Sequence, residues 1–293
     1  MGKKFAIFHR ADLDGHCSGA IIKKAIPDVE LIPFDYGEKL PWVDLANSEL
    51  IVIADVTPPM VEMIKLNNLT EKLIWIDHHI KIMEEAESVH FNPEGIRDVE
   101  YSACENAWRY FYPDTEMPEA VYLLGRYDIW KWQNISGCLE FQTGMRSRTT
   151  DPCDDRSKLL WKCLLDEGCE TSQRVLIQET IDDGEICLEY AKASNEEYVK
   201  NFAFEAELDD LKLICVNKGR AGSGTFESVW DEEKYDAMLC FVQQVIDGEM
   251  KYKVSMYTTK DFDLAAYAVK HGGGGHRQAC GFECKELPIK IGE

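Results

Sequence analysis

Residues 73–79 read Leu73-Ile74-Trp75-Ile76-Asp77-His78-His79, four apolar residues rich in strand formers followed by three groups able to bind protons or metal ions. The same arrangement occurs twice upstream. The run Leu50 to Ala54 ends in Asp55, and the run Lys4 to Phe8 ends in His9, with Asp12 and Asp14 in the turn that follows. A further apolar run covers Val29 to Ile32. Helical patterns lie between the runs, at Ser18 to Ile26 and from Pro58-Pro59 to Leu69, so strands and helices alternate as in a parallel sheet. The charged groups then all stand at carboxyl ends of strands. In an open parallel sheet that edge forms the crevice where ligands bind, and it gathers residues that are remote in sequence.

Beyond residue 100, the capping-box pattern Ser102-x-x-Glu105, Pro118 ahead of Glu119 to Tyr127, and the apolar spacing through Leu159 to Leu165 predict helices. Asp128 follows one of them in GRYDIW. A long polar helix is expected from Thr171, and its charge-rich continuation places a boundary at 194–208, between a first domain over 1–193 and a second over 209–293. The second domain reads as a strand at Leu211 to Val216, a loop at Lys218 to Thr225, and strands at Ala237 to Val245 and Lys251 to Tyr257. A helix at Leu264 to Lys270, the run GGGGH and a short last strand complete it. Both domains are of α/β class.

Composition narrows the partners. Against 53 Asp and Glu the chain has 32 Lys and Arg, a formal charge of -21 with a pI near 4.7, which opposes binding along a long phosphate backbone. Eleven cysteines occur at no ligand-like spacing and without a CxxC pair, as expected of reduced thiols, mostly buried. The opening MGKKFAIFHR has too short an apolar stretch for a signal peptide, and no apolar run is long enough for a membrane span. A cytoplasmic protein with no membrane partner is the expectation, and a homodimer is compatible with it.

Several carboxylates in one crevice repel one another and take up protons unless divalent cations compensate them. Mixed imidazole and carboxylate ligands suit Mn, Fe, Co or Zn better than Mg or Ca, and two Mn ions are favoured. Two ions about 3.5–4 Å apart clamp the attacking and leaving oxygens of an in-line displacement and activate a water, so phosphoester hydrolysis is the natural chemistry. Taken singly, Asp12, Asp14 or Asp55 reads equally well as a helix cap or turn former. The coincidence of HxxDxDG, a strand-terminal Asp and an Asp-His-His triplet in successive strand ends favours the metal site.

These motifs resemble those of the DHH/DHHA1 phosphoesterases, in particular the oligoribonuclease-like branch. His9-Arg10-Ala11-Asp12-Leu13-Asp14-Gly15 is similar to the family's first motif, Asp55 to its second, Asp77-His78-His79 to the triplet that names it, and Asp128 to its fourth. The segment His271 to Arg277 with Ala279-Cys280-Gly281 resembles the glycine-rich motif of the DHHA1 domain. The resemblance implies a five-stranded parallel-sheet DHH domain joined by a helical linker to a smaller mixed-sheet α/β DHHA1 domain. It also implies that His9, Asp12 and Asp55 hold one metal and that Asp14, Asp55, His78 and Asp128 hold the other, with Asp55 shared. His79 would face the substrate phosphate, and Asp77 would fix a histidine tautomer.

In the second domain, Gly273, Gly274 and Gly275 would let backbone amides approach a phosphate, with His276 and Arg277 adding charge-assisted bonds. The alternative is a loop after a glycine-capped helix. Arg220, in the basic loop NKGRAGSG, is a weaker candidate for the same work. The expected substrate is a short oligonucleotide or a small nucleotide phosphodiester, and no long nucleic acid. Rival readings are an inorganic pyrophosphatase-like enzyme, a 3′-phosphonucleotide phosphatase and a non-enzymatic nucleotide-binding protein.

Overall fold

A computed structural model describes residues 2–166 and 170–291. The chain divides into two units, Met1–Leu188 and Glu189–Glu293. The fold class expected from the sequence is the one observed, a parallel α/β unit followed by a mixed-sheet α/β unit.

The first unit contains strands β1 (Lys4–His9), β2 (Glu30–Phe34), β3 (Leu50–Ala54) and β4 (Leu73–Ile76). Its helices are α1 (Leu13–Ala25), α2 (Trp42–Leu45), α3 (Met60–Leu69), α4 (Ile80–Ser88), α5 (Ala103–Phe111), α6 (Glu119–Asp128), α7 (Cys138–Met145) and α8 (Lys158–Leu165). The strands are all parallel, in the order β2-β1-β3-β4. Alternation along each strand explains why the runs are apolar throughout. Ala6, Val52, Ala54, Ile74 and Ile76 face a core shared with α1, α5 and α6, while Phe5, Ile7, Ile51, Ile53 and Trp75 face one built with α3. From β2 the chain returns past β1 to β3, so the direction of winding reverses between β1 and β3. A ligand crevice is expected at their carboxyl ends.

Two features differ from expectation. Helix α1 begins at Leu13, five residues before the predicted start, because Asp12 caps it by accepting from Gly15 N at 2.9 Å. Among the described residues the sheet has four strands where the resemblance implied five. Beside β4, Glu94 and Arg97 form isolated parallel bridges only. Pro93 has no N–H to offer, and the Arg97 guanidinium donates to the Trp75 carbonyl at 2.9 Å, occupying an acceptor that a fifth strand would need.

Helix α9 (Glu170–Phe202) carries the chain into the second unit. This comprises β5 (Phe204–Leu208), β6 (Leu211–Asn217), β7 (Ala237–Ile246), β8 (Glu249–Tyr257), α10 (Ala265–Lys270), β9 (Gly274–His276), β10 (Ala279–Cys284) and β11 (Lys290–Ile291). The sheet order is β11-β5-β6-β7-β8-β10-β9, with β6 and β7 parallel and the other pairs antiparallel. Strand β5 lies in a stretch read from the sequence as linker. Its Glu205 and Glu207 point to solvent while Ala206 and Leu208 are buried, so the acidic residues hide a half-buried strand.

The glycine-rich run is likewise more ordered than a loop. Gly272 closes α10 in a left-handed conformation (φ 81°), and Gly274–His276 is the edge strand β9, paired with β10. Gly275 has φ 140°, and a Cβ there would lie 2.6 Å from Cys280 Cα, so the pairing requires glycine.

Candidate metal centre

The end of β1 and the start of α1 are welded together at Gly15, where a Cβ would stand 2.0 Å from the His9 carbonyl oxygen. That close approach fixes the three side chains of the first motif relative to one another. Asp12 divides its labour: Oδ1 caps α1, while Oδ2 lies 2.7 Å from His9 Nδ1. Asp55, immediately after β3, has φ 63°, a left-handed conformation that a non-glycine residue adopts at some cost and that turns its carboxylate into the interior. Its Oδ2 is 3.5 Å from His9 Nδ1 and its Oδ1 is 3.4 Å from His78 Nε2.

Asp14 is buried. Its carboxylate accepts from Ser102 Oγ (2.9 Å), Ala103 N (2.9 Å) and Cys104 N (2.8 Å), the amino end of α5, where the helix dipole also favours a negative charge. Its Oδ2 remains 3.7 Å from His78 Nε2, and Asp128 Oδ2, from the last residue of α6, is 3.3 Å from the same nitrogen. The structure therefore brings together two sets, His9 with Asp12 and Asp55, and Asp14 with His78 and Asp128; within each, the ligand atoms lie within 4.8 Å of one another. Asp55, His78 and His79 satisfy the same distance criterion.

These residues fit divalent ions. His9 Nδ1 and Asp55 Oδ2 are buried and make no hydrogen bond despite their crowding, as expected of groups that converge on a third centre. Burial, and then Asp14, push the Asp55 carboxyl well above the usual carboxylate range. The same two causes raise Asp128 to about 7. Cations would relieve this accumulation of unneutralised carboxylates.

Asp77 is buried beneath this cluster and is saturated with donors. Its Oδ1 accepts from His78 N (2.7 Å), His79 N (3.0 Å) and His79 Nδ1 (2.7 Å), and its Oδ2 accepts from Thr57 Oγ1 (2.5 Å). Trp75 Nε1 donates to Thr57 Oγ1 at 2.7 Å and completes the network. The contact with Asp77 raises the His79 imidazole pKa against the effect of burial, and leaves Nε2 as the free ring nitrogen.

Sequence reasoning missed four contributors. Asp35, one residue past β2, places Oδ1 3.4 Å from His9 Nε2, so the ring's second nitrogen has a partner. Tyr36, itself more than half exposed, meets the His9 ring edge-on at 5.6 Å. Thr57 and Ser102 orient Asp77 and Asp14. Ser102 alone was visible, as a helix cap; nothing in sequence links it to Asp14. Ser102→Ala should cost about 1 kcal/mol of stability through the lost cap, measurable by denaturant unfolding, and should weaken any divalent-ion binding at this cluster about 10–100-fold in a metal titration.

In the second unit, Gly273, Gly274 and Gly275 line an open cavity of about 810 Å³ together with Lys251, Lys253 and Lys285. His276, Arg277 and Arg220 do not line it. Arg277 is exposed and pairs with Asp261 at 3.0 Å, and Arg220 occupies an exposed left-handed turn (φ 56°).

No family model matches the chain. The uncharacterized protein R106 of Acanthamoeba polyphaga mimivirus is 25% identical over 258 residues, covering 83% of this chain and 55% of that protein, so the chain spans about half the length of this curated relative. The solved structure of the pGpG-specific phosphodiesterase PggH from Vibrio cholerae aligns with a TM-score of 0.54 at 13% identity, covering 97% of this chain and 93% of that one. That of exonuclease RecJ bound to manganese aligns with a TM-score of 0.49 at 13% identity, covering 97% and 86%. What the chain shares with PggH is the fold. No helix among the described residues is long and apolar enough to cross a membrane.

Proposed function

We propose that this chain is a phosphoesterase of the DHH/DHHA1 type that hydrolyses short oligonucleotides or small nucleotide phosphodiesters with two divalent ions, favoured as Mn2+. The observation that carries this reading is the convergence of two ligand sets, His9 with Asp12 and Asp55 and Asp14 with His78 and Asp128, on the crevice between β1 and β3. Such ions supply charge neutralisation at the phosphoryl group and lower the proton affinity of a water.

The chain's own groups have separate tasks in this proposal. Asp55 stands between the two sets and serves both. His79, held through Nδ1 by Asp77, presents Nε2–H to a phosphoryl oxygen and strengthens that bond as negative charge develops. In the second unit, the cavity beside Gly273 to Gly275, with Lys251 and Lys253 on its wall, offers backbone amides and cations to an anionic group. The fold shared with a pGpG-specific phosphodiesterase is in keeping with a substrate of this size.

Turnover should require Mn2+ or a similar ion and stop with EDTA. Over a panel from di- to decanucleotides, kcat/KM should stop rising after roughly two to five nucleotides, because the net charge of -21 leaves no long basic track. Its salt dependence should correspond to about one to three neutralised phosphates. Faster degradation of a 20-nucleotide strand than of a dinucleotide at the same salt would overturn the short-substrate reading, and metal-independent turnover would overturn the mechanism.

A further inference from the structure

Helix α6 ends with two backbone bonds, Trp130 N to Tyr127 O at 3.1 Å and Lys131 N to Arg126 O at 2.9 Å, around a left-handed residue. This is the standard helix stop in which glycine is the common occupant of the left-handed position. Here that residue is Trp130, with φ 58°. The Cβ of an L-residue is crowded in this conformation, and the strain is not recovered by burial, since Trp130 is 74% exposed. It is the only tryptophan among the described residues with an exposed side chain. A large apolar group retained in water, at a position where glycine would relax the backbone, points to a ligand.

Its surroundings indicate the chemistry of that ligand. Asp128 of the metal centre precedes it by two residues, so the two Cα atoms are at most about 7.6 Å apart. Tyr127 stacks on Trp132 with ring centres 6.0 Å apart, and the Arg146 guanidinium lies 5.7 Å from the Tyr127 ring centre. Arg146 is exposed and has no carboxylate partner among the described residues. Aromatic rings beside an unpaired guanidinium are the elements that hold single-stranded nucleotides, the rings by stacking on bases and the cation by pairing with phosphate.

We propose that Trp130 is a stacking platform for a nucleobase of the substrate, with Arg146 available to a phosphate of the same ligand. This rests on the nucleotide reading given above. An interface with another protein would also use an exposed tryptophan, but the neighbouring metal ligands and free arginine favour a nucleotide.

Binding, separated from turnover, provides the test. The probes are an analogue of the 5′-phosphorylated dinucleotide pApA with methylene groups in place of both bridging oxygens of the internucleotide phosphate, and its counterpart lacking both bases, measured by equilibrium dialysis with Mn2+. Trp130→Gly should melt at the same temperature as the parent or higher, while its Kd for the dinucleotide rises about tenfold or more. Its Kd for the base-free analogue should stay unchanged, and Trp130→Phe should retain most of the dinucleotide affinity. An unchanged dinucleotide Kd in Trp130→Gly, or equal losses on both probes, would overturn the platform. So would a lower melting temperature, because the ring would then be structural. If the parent protein binds the dinucleotide through Trp130 yet hydrolyses no phosphoester, the catalytic reading fails and the platform stands. If it binds neither probe, the platform is overturned.

Discussion

Asp55→Asn should reduce phosphodiester hydrolysis on the order of 10³-fold or more, since several kcal/mol of transition-state charge stabilisation disappear with the ions. Asparagine is the informative replacement because, like aspartate, it tolerates the left-handed conformation seen at this position (φ 63°). The fold should survive. Without metal, Asp55 is a buried carboxylate close to Asp14, with Asp12 and Asp128 adding to the repulsion, so removing its charge relieves strain. The metal-free variant should therefore melt no lower than the metal-free parent. The parent should gain about 2.7 kcal/mol of stability at an ion concentration of 100 Kd, and the variant should gain almost none. Thermal melts with and without Mn2+, combined with metal analysis of the dialysed protein, separate this outcome from simple unfolding. A variant that keeps both ions and near-parental turnover would remove Asp55 from the centre.

The division between what sequence disclosed and what it concealed follows from the kind of interaction involved. His9, Asp55 and Asp77 were legible because each directly ends an apolar run, and a parallel sheet necessarily gathers such ends on one edge. Gly15 was part of a motif, but the reason for it, the contact with the His9 carbonyl, needed coordinates. Ser102 carried a clear capping signal. Its bond to Asp14 spans 88 residues and depends on how α1 and α5 pack, which no local pattern encodes. Asp35 and Tyr36 were overlooked because β2 is only half-buried at Leu31 and Ile32, so its carboxyl end did not stand out as the others did. Thr57 sits between a strand end and a pair of prolines, where a hydroxyl reads as a turn former. The acidic alternation of β5 was absorbed into the neighbouring charged helix, since four charges in Phe204–Asp210 outweigh a two-residue apolar period. Trp130 gave no signal at all: a left-handed conformation at a bulky residue is the opposite of what its side chain favours.

His79→Ala and Asp77→Asn should impair catalysis by a route different from that of Asp55→Asn. In the proposed mechanism, removing the His79 imidazole deletes a donor aimed at developing charge, a loss of about 10²–10³ in kcat. Both ions should remain, because His9, Asp12, Asp14, Asp55, His78 and Asp128 are untouched. Asp77→Asn keeps the imidazole but loosens it: an amide has one acceptor oxygen for the three donors now on Asp77 Oδ1, and its NH2 faces the Thr57 hydroxyl that Oδ2 now accepts from. Leaving donors of this buried network unmatched should cost about 1–3 kcal/mol of stability, and the misplaced ring should lower kcat about 10–100-fold. Because Asp77 also fixes the backbone N–H groups of His78 and His79, its replacement should weaken ion binding where His79→Ala does not. The competing geometry is explicit, since ligand atoms of Asp55, His78 and His79 lie within 4.8 Å of one another. Metal stoichiometry decides between them: loss of one ion per chain in His79→Ala would make His79 a ligand, whereas two retained ions with a depressed kcat and an intact melting temperature would place it on the phosphoryl group.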